Sequence, residues 1–254
     1  MYSAKLLDAL RASLRRIVAD EPRVAVAYSG GLDSSVVAEL ASELSKTKCY
    51  SVAVPGSHDA RTVVANADEE GRELELVSMT DSGLHVLAAK AAALLEDASP
   101  VAVGYTIPLL AVVERANEML ILAGNGADEL FGGYAKYLTS SEPEQQMRGD
   151  LEKAMGEAAA LAGYASGLGK RIEFPFLDEE VRNLAASIPL DRKMQGASRK
   201  VVLREAAGQL SLPSQHRPKK AAQYSTGILR RMEELAKADG KSVGSWIASL
   251  DNLE

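Results

Sequence analysis

The sequence predicts an α/β fold, with a parallel β-sheet covered by helices on both faces and followed by a helical C-terminal lobe. Short apolar segments alternate with segments of helical period up to residue 123, a pattern typical of parallel sheets joined by crossover helices. After about residue 145 the strand patterns disappear and helical patterns remain. We therefore expect an α/β core over 1–140 and a helical lobe over 141–254 that packs on the core within the same domain.

The elements of the core and of the lobe follow from hydrophobic period and from glycine and proline breaks. The first helix, for example, is expected to end near Pro22, because proline cannot continue a helix. The predicted strands cover residues 23–28, 49–54, 74–78 and 119–123. The predicted helices cover residues 3–20, 36–44, 59–70, 84–95 and 108–117 in the core, and 151–165, 179–186, 199–209 and 228–238 in the lobe.

Composition narrows the class of protein. The chain has 254 residues, of which 46% are apolar and 25% charged, as in ordinary soluble globular proteins. A net charge of -6 disfavours a nucleic-acid partner. The single cysteine, Cys49, lies in an apolar run and is expected to be a core residue in a reducing cytoplasm. We find no apolar run of roughly 18 residues and no signal-peptide block, so we expect a cytoplasmic protein without a membrane span.

The segment from Ser29 to Ser35, which reads Ser-Gly-Gly-Leu-Asp-Ser-Ser, is predicted to bind phosphate. It follows a strand, and a helix begins at its end, so backbone N–H groups and the helix dipole can hold an anion. Asp33 beside bound phosphates requires a cation, most simply Mg2+. A serine-capped glycine turn is the purely structural alternative. The residues expected to contact the nucleotide here are Ala27, Ser29, Gly30, Gly31, Asp33, Ser34 and Ser35.

A second glycine-rich segment, 124–134, reads Gly-Asn-Gly-Ala-Asp-Glu-Leu-Phe-Gly-Gly-Tyr and follows the strand at 119–123. The carboxyl ends of parallel strands meet at one edge of a sheet, so this segment is expected to face the first loop. Gly124 and Gly126 are predicted to contact the nucleotide, and Asp128 to share the Mg2+ with Asp33. A solvated acidic turn is disfavoured, because glycines flank the acidic residues on both sides.

These motifs resemble one superfamily. The first loop has neither the spacing and lysine of a Walker A loop nor the GxGxxG of dinucleotide folds. It resembles the pyrophosphate-binding loop of the PP-loop ATP pyrophosphatases, which implies an adenine nucleotide alpha-hydrolase-like fold. The second segment resembles the GxGxDExFGGY signature of the asparagine synthetase synthetase domain. Further segments similar to that family are Pro175–Asp178 (PFLD), Lys200–Arg204 (KxxLR) and Arg217–Lys219 (RPK).

The resemblance covers about residues 24 to 230 and implies an AMP-forming ligase that uses ATP and Mg2+. In such enzymes ATP adenylates a carboxylate with release of pyrophosphate, and ammonia or an amine then displaces AMP. Aspartate is the best single acceptor, which would place the protein in asparagine biosynthesis. By the same resemblance Val52 cradles adenine, and Lys219 is the catalytic lysine with Lys220 as its rival. Asn125 stands where the family usually has a catalytic glutamate.

Four departures leave the acceptor and the nitrogen source open. Tyr2 stands where the family's glutaminase domain has a cysteine, so we expect nitrogen from ammonia, another amine or a separate glutaminase subunit. Asn125 cannot take a proton as glutamate would. The charges of the E-x-R-x-P-F-L-D box are exchanged, as Arg171 and Glu173. Residues 101–104 lack the threonine and arginine that would hold the carboxylates of aspartate.

Other functions therefore stay open. One is an amide-forming ligase with a different acceptor, as in the β-lactam-type cyclases of the superfamily. Another is a non-catalytic ATP-binding subunit paired with a separate glutaminase. A tRNA-modifying enzyme is disfavoured by the acidic charge and the single cysteine. The three histidines are far apart and predict no zinc site. The sequence does not determine whether the protein forms a homo-oligomer.

Overall fold

The computed structural model describes residues 2–217 and 227–250, apart from the side chains of residues 58 and 59. Its centre is a five-stranded sheet in the order β3-β2-β1-β4-β5, in which every neighbouring pair is parallel. The predicted parallel α/β architecture is therefore confirmed. The strands are β1 (Arg23–Ala27), β2 (Lys46–Ala53), β3 (Leu74–Ser78), β4 (Leu120–Ala123) and β5 (Arg171–Glu173).

Helices connect these strands and cover both faces of the sheet. The first six are α1 (Tyr2–Val18), α2 (Leu32–Ser42), α3 (His58–Glu69), α4 (Asp81–Leu94), α5 (Pro100–Arg115) and α6 (Ala127–Phe131). The next six described helices are α7 (Pro143–Gly167), α8 (Glu179–Ser187), α9 (Leu190–Lys193), α10 (Val201–Gln209), α11 (Ile228–Ala238) and α12 (Val243–Ala248). Short 3-10 turns lie at Ala135–Leu138, Pro175–Leu177 and Pro213–His216.

The expectation that strand structure ends by about residue 145 was wrong. β5 pairs with β4 in parallel, with Ile172 opposite Ile121, and both isoleucines are buried in one apolar cluster. A three-residue strand with one buried side chain is too short to show a period of two in the sequence. The range 141–254 therefore contributes an edge strand to the central sheet. It also contains a two-residue antiparallel hairpin, Met194–Gln195 with Ser198–Arg199. The division of the chain near residue 140 stays a prediction.

Helix α5 also differs from the expectation, because it begins at Pro100 rather than at Pro108. Ser99 caps it by accepting a hydrogen bond from the N–H of Ala102, at 3.3 Å. Pro108 lies inside the helix, where it removes one backbone hydrogen bond. The neighbouring Ile107 is fully buried. We attribute the continuation of the helix through the proline to apolar packing against the sheet.

Apolar side chains alternate across the sheet and form a core on each side. In β1, Val24 and Val26 belong to the cluster under α1, α2 and α10, whereas Ala25 belongs to the cluster under α4 and α5. Cys49 is 1% exposed, and burial raises the pKa of its thiol to about 12. It is a core residue, as predicted. Among the described helices, none is both long and apolar enough to cross a membrane.

Candidate functional site

The loops after β1 and β4 share one crevice at the carboxyl edge of the sheet. β1 lies between β2 and β4, and the strand order reverses at this point, which is where open α/β sheets bind ligands. A Cβ atom on Gly124 would lie 3.0 Å from Cβ of Asp33 and 3.1 Å from the N atom of Ser34. Position 124 therefore needs glycine, because the two loops are in direct contact. The expectation that they face each other is confirmed.

Serine hydroxyl groups hold the first loop in its conformation. Oγ of Ser34 accepts a hydrogen bond from the N–H of Ser29 at 3.1 Å and donates to the carbonyl of Gly31 at 3.2 Å. Gly30 has φ +70°, which the turn requires and which glycine adopts without strain. Helix α2 then begins at Leu32, and no side chain caps it. Within residues 2–217 and 227–250, no capping side chain therefore competes with an anion for its first N–H groups.

Behind the loop, a buried carboxylate connects three parts of the chain. The side chain of Glu70 is fully buried and accepts hydrogen bonds from Tyr28 at 3.0 Å, Ser35 at 2.9 Å and Arg217 at 2.6 Å. Arg217 also donates to the carbonyl of Gly30, at 2.9 Å. The hydroxyl group of Ser35 therefore points to Glu70. Ser35 and Gly30 are the described members of the predicted nucleotide set that do not line the cavity.

Where the two loops meet, the ammonium group of Lys200 lies between two aspartates. Its Nζ atom is 2.6 Å from each carboxylate oxygen of Asp33 and 2.6 Å from Oδ1 of Asp128. Lys200 is 3% exposed; burial lowers the pKa of its ammonium group, and the charge of Asp33 opposes this shift. Sequence reasoning named Lys200 only within the KxxLR segment and gave it no role. That match was the available signal, because 167 positions separate Lys200 from Asp33.

A cavity of about 230 Å3 opens between these loops and helices α5 and α7. Asn125 lines it, as does Val52, so both predicted residues lie at the cavity; their roles stay predictions. Lys219 and Lys220 lie outside the described residues. The other predicted residues that line the cavity are Ala27, Ser29, Gly31, Asp33, Ser34, Gly124, Gly126 and Asp128.

Three cationic side chains line the end of the cavity near the first loop. Besides Lys200, the cavity is lined there by Arg204 and Arg217. Arg204 donates to the backbone carbonyls of Gln215 and Arg217, at 2.6 and 3.0 Å, and burial lowers the pKa of its guanidinium group. These carbonyl partners carry no net charge, and the charge of Asp33 opposes the lowering of the pKa of Arg204. This end of the cavity therefore suits a polyanion such as a chain of phosphates.

Two glutamates that line the cavity, each paired with a tyrosine, form an acidic wall, and these pairs were not predicted. The hydroxyl group of Tyr105 donates to Oε1 of Glu157 at 2.6 Å, and that of Tyr134 donates to Oε1 of Glu129 at 2.6 Å. Burial raises the pKa of both carboxyl groups, while the tyrosine hydrogen bonds oppose the shift. Glu129 and Tyr134 both lie within the second glycine-rich segment, so the sequence pointed to their neighbourhood although not to their pairing. The sequence contains no signal for Tyr105 and Glu157, because 52 positions separate them and only packing brings them together.

Two carboxylates at the site can hold a divalent cation. Asp33 and Asp128 both approach one point, marked by Nζ of Lys200, and together they carry one more negative charge than that lysine offsets. Among the described residues, no group of three or more histidine, cysteine, aspartate or glutamate side chains could hold a metal. Two oxygen donors suit Mg2+, which binds few carboxylates and takes its remaining ligands from water or phosphate.

The fold and the site together define an α/β protein in which two glycine-rich loops share a crevice at the carboxyl ends of two parallel strands. The model of the asparagine synthase family matches residues 5–171 and 162–246 of this sequence. The chain belongs to the asparagine synthase family.

Relatives of known description are similar over different parts of the chain. A Methanocaldococcus jannaschii protein assigned as asparagine synthetase (glutamine-hydrolysing) 1 is 30% identical over 97% of this chain and 53% of its own length. The human asparagine synthetase domain-containing protein 1 is 31% identical over 55% of this chain and 24% of its own length. This chain thus spans about half the length of the first relative. NMN synthetase from Francisella tularensis superposes with a TM-score of 0.48 and 16% identity, over 99% of this chain and 92% of that protein.

Proposed function

We propose that the chain is an ATP-dependent ligase that joins a carboxylate to ammonia or another amine and forms AMP and pyrophosphate. Aspartate is the best single acceptor, and with it the product would be asparagine. The observation that carries the proposal is the meeting of Asp33, Lys200 and Asp128 where the two loops share a crevice. Carboxylates for a cation, a buried lysine and helix N–H groups are the kinds of group that transfer of the AMP moiety from ATP needs.

Each predicted group has a place in this reaction. The phosphates of ATP would lie along the loop at 29–34, with the base near Ala27 and Val52. Asp33 and Asp128 would hold Mg2+, which neutralises charge on the phosphates. Lys200 and the two arginines that line the cavity add positive charge where pyrophosphate departs.

The bonds made and broken balance without a further reactant. An oxygen of the substrate carboxylate attacks the α-phosphorus, and the bond from that phosphorus to the β-phosphate bridging oxygen breaks, which releases pyrophosphate. The amine lone pair then attacks the acyl carbon, a proton leaves the nitrogen, and AMP departs with the electron pair of the broken C–O bond. Lys219 or Lys220 would stabilise the charge of the leaving groups. Asn125 can donate a hydrogen bond but cannot accept a proton as a base.

The acidic wall favours an acceptor other than aspartate. Tyr105 and Glu157 face the cavity from α5 and α7. α5 also carries residues 101–104, where the family resemblance expects the carboxylate-binding side chains. A carboxylate placed beside Glu157 would be repelled. An amide-forming ligase with a different acceptor is therefore our second candidate. A separate glutaminase subunit, a homo-oligomer and a cytoplasmic location stay predictions from the sequence.

The test is formation of pyrophosphate and AMP by the purified chain with MgATP, ammonium chloride and a panel of small carboxylates headed by aspartate. We expect equal amounts of both products with the right acceptor. Asp33→Ala should reduce the rate by about 100-fold or more, because the cation loses a ligand. Asp8→Ala, which changes an exposed aspartate of α1, is the matched control.

Two results would overturn the proposal. If ATP binds to the chain but no acceptor in the panel yields pyrophosphate or AMP, the chain is a nucleotide-binding subunit rather than a ligase. If Asp33→Ala turns over at nearly the normal rate, the first loop does not hold the reacting nucleotide.

A further inference from the structure

The charged side chains that line the cavity form two groups. Lys200, Arg204 and Arg217 line it near the phosphate loop together with Asp33 and Asp128, whereas Glu129 and Glu157 are the glutamates that line it. The charge of Lys200 acts on Glu129 and opposes the rise of its pKa. Glu129 is therefore partly compensated by the phosphate end. The cationic neighbour of Glu157 is Lys153, whose charge also opposes the rise of the pKa of Glu157 but which forms its ion pair with Asp97.

Glu157 is the charged member of an otherwise apolar helix face. The residues of α7 that line the cavity are Ala154, Glu157, Ala158 and Leu161, at the spacing of one helix face. On the facing helix α5, Leu109 lies among the lining residues. A carboxylate on an apolar surface raises the free energy of the fold unless a counter-charge or hydrogen bonds offset its desolvation.

Contacts within the chain offset only part of the desolvation free energy of the Glu157 carboxylate. Tyr105 satisfies Oε1 of Glu157 with a hydrogen bond of 2.6 Å. The neighbouring Lys153 forms its ion pair with Asp97, at 2.9 Å. Across the part of the chain that the structure describes, no lysine or arginine forms an ion pair with Glu157. A positive charge supplied by a ligand would complete this site.

We propose that Glu157 and Tyr105 bind a protonated primary amine carried on a short apolar chain, so that the substrate at this wall is an alkylammonium compound. The inference rests on the proposed function, because that amine would be part of one of the two molecules being joined. The apolar lining, Ala158 and Leu161, contacts the alkyl chain, and the carboxylate takes the ammonium group. A carboxylate placed at this end would be repelled by Glu157, so an acceptor such as aspartate would have to keep its second carboxylate away from this wall.

The first experiment measures binding without turnover, by saturation-transfer NMR in the presence of MgATP. The probes are butylamine, butanol and butyrate, which have similar chains and different charges. We expect the wild-type protein to bind butylamine at least about tenfold more tightly than the other two. Glu157→Gln should remove that preference, and Tyr105→Phe should weaken it. Glu152→Gln, an exposed glutamate on the same helix, is the matched control and should keep it.

Equal binding of butylamine and butanol by the wild-type protein would overturn the inference, as would an unchanged preference in Glu157→Gln. Thermal unfolding and circular dichroism show whether each variant is folded. If Glu157→Gln lowers the melting temperature but keeps the preference for butylamine, the Tyr105–Glu157 pair only joins the two helices. If that variant does not fold, Tyr105→Phe decides the question.

A second experiment separates the inference from the proposed function. ATP–pyrophosphate exchange with a panel of carboxylates measures adenylation by the wild-type protein. The KM for the amine in the complete reaction, compared between the wild-type protein and Glu157→Gln, measures the contribution of Glu157 to amine binding. Exchange together with an unchanged amine KM in Glu157→Gln would refute the inference and keep the ligase. Absence of exchange together with amine binding that depends on Glu157 would refute the ligase and keep the amine site.

Discussion

The ammonium group of Lys200 lies 2.6 Å from each carboxylate oxygen of Asp33, although 167 positions separate the two residues in the chain. Lys200 directly precedes α10, and Asp33 lies in the first turn of α2. The ion pair therefore ties the C-terminal half of the chain to the phosphate loop. The backbone of Lys200 is in the left-handed region, with φ +57°, which is costly for a lysine and is kept by its partners.

Replacing Lys200 by methionine keeps the length of the side chain but removes its charge. We expect pyrophosphate formation to fall by about 100-fold or more, because the departing phosphates lose a preorganised cation. The two aspartates would also repel each other, so the melting temperature should fall at low Mg2+ and recover partly as Mg2+ is added. Lys237→Met, at an exposed position of α11, is the control. A melting temperature that does not respond to Mg2+ in Lys200→Met would argue against a shared cation site.

Gly133 leaves room for the same ion pair. A Cβ atom at this position would overlap Oδ1 of Asp128 and Cε of Lys200. Gly133→Ala should therefore displace both groups, lower the free energy of unfolding by about 1–3 kcal/mol and reduce the rate of pyrophosphate formation. Gly149→Ala is the matched control, because nothing lies within 4 Å of the added methyl group on α7. That change should stabilise the helix by up to about 1 kcal/mol.

Urea denaturation and the pyrophosphate assay measure both glycine variants. Equal unfolding free energies for Gly133→Ala and the wild-type protein would mean that the packing around Lys200 is looser than the structure shows.

Glu70 should be important for stability although it does not line the cavity. Its buried carboxylate accepts hydrogen bonds from Tyr28, Ser35 and Arg217. Glu70→Gln leaves Arg217 without its buried counter-charge, and we expect the free energy of unfolding to fall by about 3 kcal/mol. Glu69→Gln removes a half-exposed partner of the same arginine and should change stability by no more than about 1 kcal/mol. Chemical denaturation compares the two, and similar losses would contradict the central role of Glu70.

The pH dependence of stability should report the buried carboxyl group of Glu157. Burial raises the pKa of this group above its ordinary value of 4.5, and the hydrogen bond from Tyr105 opposes the shift. Folding therefore takes up a proton between the ordinary pKa and the raised one. As a result, the free energy of unfolding that this group contributes is greatest below the ordinary value and decreases as pH rises through that window.

Glu157→Gln lacks this titration, so it should gain stability relative to the wild-type protein as pH rises from about 4 to about 8. Urea denaturation at a series of pH values measures the difference, and Glu152→Gln should follow the wild-type curve. Parallel curves for Glu157→Gln and the wild-type protein would show that Glu157 has an ordinary pKa.

Local patterns were sufficient to predict much of the fold. The predicted strand at 74–78 and the predicted helix at 228–238 have the bounds that the structure shows. The strand at 171–173 was missed because a single buried side chain produces no alternation of apolar and polar residues in the sequence. The start of α5 was misplaced because proline usually marks the first turn of a helix, whereas here apolar packing retains Pro108 inside one.

The candidate site was predictable to the extent that it is local. A strand, a glycine turn and a helix N-terminus follow one another within a few residues, so the phosphate loop and the acid-bearing loop after β4 could be recognised from the residues alone. Ser34 and Ser35 show the limit of such local prediction. Ser34 lines the cavity, whereas the hydroxyl group of Ser35 donates to Glu70, and residue type alone does not distinguish these two neighbours.

The sequence by itself therefore determined the parallel α/β class, the two loops that meet at the edge of the sheet and the family resemblance. Only the tertiary structure decided that Lys200 joins Asp33 and Asp128, and that Tyr105 and Glu157 form an acidic wall. The reason is physical. Hydrophobic period and turn residues report forces between near neighbours, whereas the charge of the cavity arises from side chains far apart in sequence that packing brings within hydrogen-bonding distance.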